Sequence, residues 1–330
     1  MNKEKKWEVK NRKINLFLKK TIIEYLDCID PLFIKAKNIN EFEFICTILD
    51  IKEVLEAGWD PWEEILSIFH FFSKLIKKVK YYEYMVYIML WMYGLAIEAN
   101  FPYKLIANLM NIILGFRYNL DPFKYYKGKR KKIIYPNEKI QFLTKISNKI
   151  NMNNCIMPFY ETFDKDLRNA IFHADFTVYK GEVRINLRNS AKKIYSQEEM
   201  HKIINKMFAF LVAFENVILY YKRSYESPKI INTPTEAGFD DNEKAVTILR
   251  RGYGLVGLKD TLTCEEIKNG KIPWHYGHFR KYEIEILKND HSTILLPKDR
   301  FKKVELIMKY CPELFKKKLV DILRKYFPFE

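Results

Sequence analysis

Residues 166–199, DLRNAIFHADFTVYKGEVRINLRNSAKKIYSQEE, decide how the chain folds. The first ten continue an apolar helical spacing that begins near residue 157, so the spacing predicts an amphipathic helix over 157–175. FTVYKGEVRINL alternates in character around Lys180-Gly181, the pattern of a short β-hairpin. Ser196 and Glu199, three residues apart, form a capping-box signature. It opens a long helix with Met200, Ile203, Ile204, Met207, Leu211, Phe214 and Ile218 along its apolar side, and Ser227-Pro228 ends the unit.

Working outward, the residues before this stretch read as helices. In DPWEEILSIFHFFSKLIKKV, Asp60 fits an N-cap and Pro61 the first helical position, followed by Ile65, Leu66, Phe69, Phe72 and Ile76 at helical spacing. His70, inside this apolar segment, reads as a packed core histidine. Two further helices are expected at 81–98 and 101–114, with Gly115 as a stop, and another at 137–150. The most apolar run, MVYIMLWMYGLAI at 85–97, is short for a membrane span and ends in Glu98, so it reads as a buried helix. After residue 228 the character changes: YEIEIL (282–287) and STILL (292–296) read as strands, and a basic helical tail follows.

The chain has 330 residues, 48% hydrophobic and 30% charged, the balance of a soluble globular protein with room for a large core. Its 11 glycines and 12 prolines argue against long linkers. The charged N-terminus MNKEKKWEVKNRK lacks the apolar core of a signal peptide. Cys28, Cys46, Cys155, Cys264 and Cys311 are odd in number and widely spaced, the usage of reduced thiols in the cytoplasm. With 57 Lys+Arg against 41 Asp+Glu, the net charge of +16 favours polyanionic partners, although background composition accounts for such a surplus equally well. KYYKGKRKK gathers Lys124, Lys127, Lys129, Arg130, Lys131 and Lys132 with two tyrosines and no acid. It reads either as an RNA-binding segment, with stacking aromatics among phosphate-binding cations, or as a solvated loop.

Within 157–175, Thr162, Asp166, Asn169 and His173 fall at spacings of four, three and four, making one polar stripe beside the apolar stripe Phe163, Leu167, Ala170, Ala174. Arg168 lies about 140° around the helix from His173. Arg168 can hold a phosphate through two parallel hydrogen bonds and stays charged at any working pH. His173 can move protons near neutral pH, and Asn169 can bond the ring and fix its orientation. Asp166 is placed to orient Arg168 or His173. These are the parts needed to cleave a phosphodiester without a metal, and equally the parts of a satisfied polar edge on a structural helix.

The motif RNAIFH, an arginine and a histidine with four residues between, followed by a hairpin and a long capped helix, resembles the HEPN family of prokaryotic ribonucleases and toxins. The resemblance covers roughly residues 136–228. It implies a HEPN-like helical bundle at 136–228; the short β-hairpin is an insertion into that bundle, and the helical N-terminal region (1–123), the basic loop (124–135) and the small α+β C-terminal domain (229–330), read from the residues themselves, lie outside the resemblance and complete a mainly α fold. It further implies a homodimer whose cleft holds two motifs. The activity implied is metal-independent endoribonuclease action in phage defence or a toxin system, with no cofactor. An antitoxin or defence-system protein is the partner such systems carry. Arg168, Asn169, His173 and Asp166 are the catalytic candidates. Some members of the family bind without catalysis, so a non-catalytic RNA- or protein-binding module stands as the alternative.

Other motifs carry less. Cys264, His275, His278 and His291 could approach one another as zinc ligands, but no paired-cysteine spacing supports a site. RRGYGLVG (250–257) lacks the lysine and the spacing of a phosphate-binding loop. No Gly-Ser with paired aspartates marks a nucleotidyltransferase.

Overall fold

The computed structural model describes residues 16–50, 61–123, 134–187, 191–227, 229–232, 244–250, 254–262, 283–287 and 293–297. They fall into two compact units that divide at Ser227. The first is mainly helical with one small sheet. Its elements are α1 (Leu16–Ile39), α2 (Glu41–Leu49), α3 (Pro61–Ile76), α4 (Tyr82–Glu98), α5 (Asn100–Ile113) and α6 (Pro136–Lys149). After a 3₁₀ turn at Asn153–Ile156 come α7 (Met157–Thr162), α8 (Lys165–His173), β1 (Phe176–Tyr179), β2 (Glu182–Asn186), β3 (Lys192–Tyr195) and α9 (Gln197–Arg223). The helices before residue 124 and those after residue 135 pack together: α1 lies on α5, α7 and α9, and α5 lies on α6.

The long helix forms as its pattern requires. The Ser196 hydroxyl accepts from the Glu199 amide at 3.2 Å, and Glu199 Oε2 accepts from the Ser196 amide at 2.8 Å, closing the capping box. Met200, Ile204, Met207, Leu211, Phe214 and Ile218 are buried, and Ile203 is half-buried. By length and composition this helix is apolar enough to cross a bilayer; its apolar side packs on α1, α4 and α7. Phe210 and Phe214 pack edge-on to Phe159 of α7, and Phe159 also meets Tyr103 of α5 at 4.9 Å between ring centres. This aromatic cluster ties three helices to the segment that leads into the polar motif.

The hairpin lies where its alternation places it. Tyr179 pairs with Glu182, and Lys180 and Gly181 both have positive φ (49° and 82°), the backbone of a two-residue turn whose twist matches the strands. A third strand, β3, pairs antiparallel to β2, which the sequence reading did not anticipate. Val183 and Ile185 point into the helical core, while Arg184 and Asn186 face outward. Gly115, at φ 83°, follows α5 as expected.

Two readings are corrected. The single helix expected over 157–175 is broken at Phe163-Asp164, where Phe163 is extended (φ −85°, ψ 112°) and Asp164 caps a new helix. Thr162 therefore leaves the polar stripe and is buried at the end of α7. His70 is exposed rather than packed, because it lies one residue round α3 from buried Phe69. The Asp60 cap and the basic cluster 124–132 lie outside the described residues.

The second unit contains β4 (Ile230–Asn232), β5 (Lys244–Arg250) and β6 (Gly254–Leu262) in one antiparallel sheet, and β7 (Glu283–Leu287) with β8 (Thr293–Pro297) as an antiparallel pair. The last two coincide with the expected strands. Cys264, His275, His278 and His291, weighed above and set aside as zinc ligands, and the basic tail lie outside the described residues.

Candidate active site on α8

The break before α8 is held by two side chains. Buried Tyr93 of α4 donates its hydroxyl to the Thr162 carbonyl at 3.0 Å and accepts from the Asp164 amide at 2.7 Å. Asp164 Oδ1 accepts from the Asp166 and Leu167 amides at 2.9 and 3.0 Å, satisfying donors that the first turn leaves open. Its other oxygen accepts from the Tyr195 hydroxyl at 2.8 Å and pairs with Lys193 at 3.2 Å, both from β3. Asp164 has the sequence of an N-cap, an Asp just before an apolar periodicity, and that signal was available to find it.

Burial alone would raise the Asp164 carboxyl, but the Leu167 amide, the Tyr195 hydroxyl and Lys193 outweigh it and hold the group below its usual range. The stability it lends is therefore fully present above the ordinary Asp value of about 3.9 and is lost as pH falls through the lower native value. Asp164→Asn keeps an N-cap but removes the charge. In denaturant melts its deficit against the wild type should be largest near pH 6 and should close as pH falls below about 4. A deficit independent of pH would remove the charge from this account.

At the far end, Ala174 takes a left-handed conformation (φ 56°), and the Asp175 amide closes on the Ala170 carbonyl at 2.9 Å. Between these ends Leu167, Ala170 and Ile171 face the core. Gly94 of α4 lets α8 approach closely: a Cβ there would sit 3.3 Å from Ile171 and Phe172.

The outward side of α8 lines a cleft of about 870 Å³ together with the start of α6 and the end of β2. Asp166, Arg168, Asn169 and His173 all face it, beside Lys165, Tyr135 and Phe172. Arg168 is the fixed member. Its Nε donates to Glu98 Oε1 at 2.6 Å, Nη2 pairs with the same oxygen, and Nη1 donates to Asn169 Oδ1 at 3.0 Å. The guanidinium also lies over the rings of Phe172 (5.0 Å) and Tyr135 (5.4 Å). His173 is exposed and makes no hydrogen bond or ion pair among the described residues.

Two assigned roles change partners. Asn169 bonds Arg168, not the His173 ring. Asp166 pairs with Lys193 at 3.4 Å, not with Arg168 or His173. Residues two apart on a helix point away from each other, so Asp166 cannot easily serve Arg168. The carboxylate on Arg168 is Glu98, which the sequence reading passed over as the end of an apolar run. It lies 70 residues earlier, and only packing of α4 on α8 brings it here.

No protein-family model matches the chain, and comparison with curated proteins and with solved structures finds no match.

Proposed function

We propose that the chain is a metal-independent endoribonuclease of HEPN type, acting in phage defence or as a toxin. The observation that carries this is the shared cleft, with an exposed His173 that has no partner among the described residues beside an Arg168 whose guanidinium is held by Glu98, Asn169 and the Phe172 ring. Glu98 engages Nε and Nη2 and Asn169 engages Nη1, so three of the five N–H groups are taken and one on each terminal nitrogen is left for a phosphate oxygen. In the reaction, His173 takes the proton from a ribose 2′-hydroxyl. The 2′-oxygen forms a bond to phosphorus, and the bond from phosphorus to the 5′-oxygen breaks. The leaving 5′-oxygen takes a proton from the same histidine of a second copy. Arg168 stabilises the negative charge that gathers on the phosphoryl oxygens. The products are a 2′,3′-cyclic phosphate and a 5′-hydroxyl. Purified protein incubated with total RNA should fragment it, and intact RNA after prolonged incubation at micromolar protein would reject the proposal.

A second copy would seat beside the cleft, on α4. Tyr84, Tyr87 and Trp91 stand exposed on α4, and Trp91, 49% exposed, meets cleft-lining Phe172 edge-on at 6.4 Å. The apolar side of α9 is packed within the unit. Trp91→Glu should therefore yield a monomer by light scattering where the wild type is a dimer. A wild type that is monomeric at micromolar concentration, or a Trp91→Glu variant that stays dimeric, would contradict this seat.

The Arg168–Glu98 ion pair favours a second reading, since a paired arginine is also what a structural helix edge would show. On that reading the chain is a non-catalytic RNA- or protein-binding module.

A further inference from the structure

We propose that the cleft contains a nucleobase subsite in which Tyr135 stacks on the base while Asn137 and Asn186 read its edge. The inference rests on the reading of this cleft as an RNA site. Tyr135 is half exposed, with the Arg168 guanidinium 5.4 Å from its ring centre. Its backbone is fixed by Pro136 and by Glu138, whose carboxylate accepts from the Tyr135 amide at 3.2 Å. The ring is thus a preset platform beside the group that would hold the phosphate, where the base attached to that phosphate's ribose would lie.

Two asparagines come to the same cleft from different elements, Asn137 from the first turn of α6 and Asn186 from the end of β2. The Asn186 backbone is anchored by its amide, which donates to the Asp175 carbonyl at 3.2 Å. Neither side-chain amide has a hydrogen-bond partner among the described residues. Each offers a donor pair and an acceptor, the complement of a base edge rather than of a phosphate, which would draw cations. Asp175, also on the cleft wall, can only accept when ionised. Bases bearing an exocyclic amino group are therefore favoured over uracil.

The test is calorimetric titration of the full chain with the four nucleoside 3′-monophosphates. At least one of the adenosine, cytidine and guanosine nucleotides should bind about 10-fold tighter than the uridine nucleotide. Tyr135→Ala should weaken that binding by roughly 5- to 150-fold, and Tyr135→Phe should retain it. Asn137→Ala and Asn186→Ala should narrow the spread among bases. Absence of nucleotide binding, equal binding of uridine, or an unchanged Tyr135→Ala variant would overturn the subsite. The nuclease reading fails separately: nucleotide binding in this pattern without RNA cleavage would leave the subsite standing and remove the catalysis. Cleavage without base discrimination would do the reverse.

Discussion

His173→Ala should lower RNA cleavage by about 10²–10⁴-fold while leaving the melting temperature and oligomeric state unchanged. The two halves of this expectation have separate causes. The loss of rate follows from removing the group proposed to take the 2′-hydroxyl proton. The unchanged stability follows from the position of the side chain. His173 is exposed on the last turn of α8 and partners nothing among the described residues, so its removal strands no buried group. Arg168 behaves differently. Arg168→Ala should also abolish cleavage, but it leaves the Glu98 carboxylate and Asn169 Oδ1 without their donor. Some loss of stability should therefore accompany it, and the comparison of the two variants separates chemistry from packing. A His173→Ala protein that cleaves in proportion to its folded fraction would assign the histidine no chemical role.

Phe159→Ala should destabilise the helical unit by about 3–5 kcal/mol. Phe159 is 1% exposed and touches Tyr103, Phe210 and Phe214, so truncation opens a cavity where α5, α7 and α9 meet. For a unit of this size the melting temperature should fall by roughly 6–20 °C. At temperatures where the variant is still folded, α8 keeps its Asp164 cap and its Tyr93 anchor, so the cleavage rate per folded molecule should fall far less than in His173→Ala. Thermal melting and an RNA assay at about 20 °C read both quantities. A melting temperature within about 2 °C of the wild type would show that this cluster is not where the unit's cohesion lies.

Much of the scaffold was legible because it depends on neighbours in sequence. Apolar spacing gave the long helix, Ser196 and Glu199 gave its start, and Lys180-Gly181 gave the turn of the hairpin. The break at Phe163-Asp164 was hidden because the apolar spacing runs through it: Phe163, Leu167 and Ala170 keep a helical interval even though the backbone changes direction. Its cause is partly remote, since the Tyr93 hydroxyl that bridges Thr162 and Asp164 comes from α4. Strand β3 is short, KKIY, and gains its stability from pairing with β2 and from Tyr195 bonding Asp164. The site was half legible. Arg168 and His173 could be picked out by type and spacing, but the carboxylate on Arg168 and the partner of Asp166 could not. Glu98 reaches Arg168 only through the packing of α4 on α8, and the separate approach of β3 to α8 gives Asp166 to Lys193.

Arg168 and His173 are proposed to cleave RNA through its own 2′-hydroxyl. The most direct measurement is end-group analysis of RNA digested by the wild-type protein in excess EDTA. Cleavage should be undiminished and leave 2′,3′-cyclic phosphates and 5′-hydroxyls, with no such ends produced by His173→Ala. Cleavage that stops on chelation, or fragments carrying 5′-phosphates and 3′-hydroxyls, would contradict it.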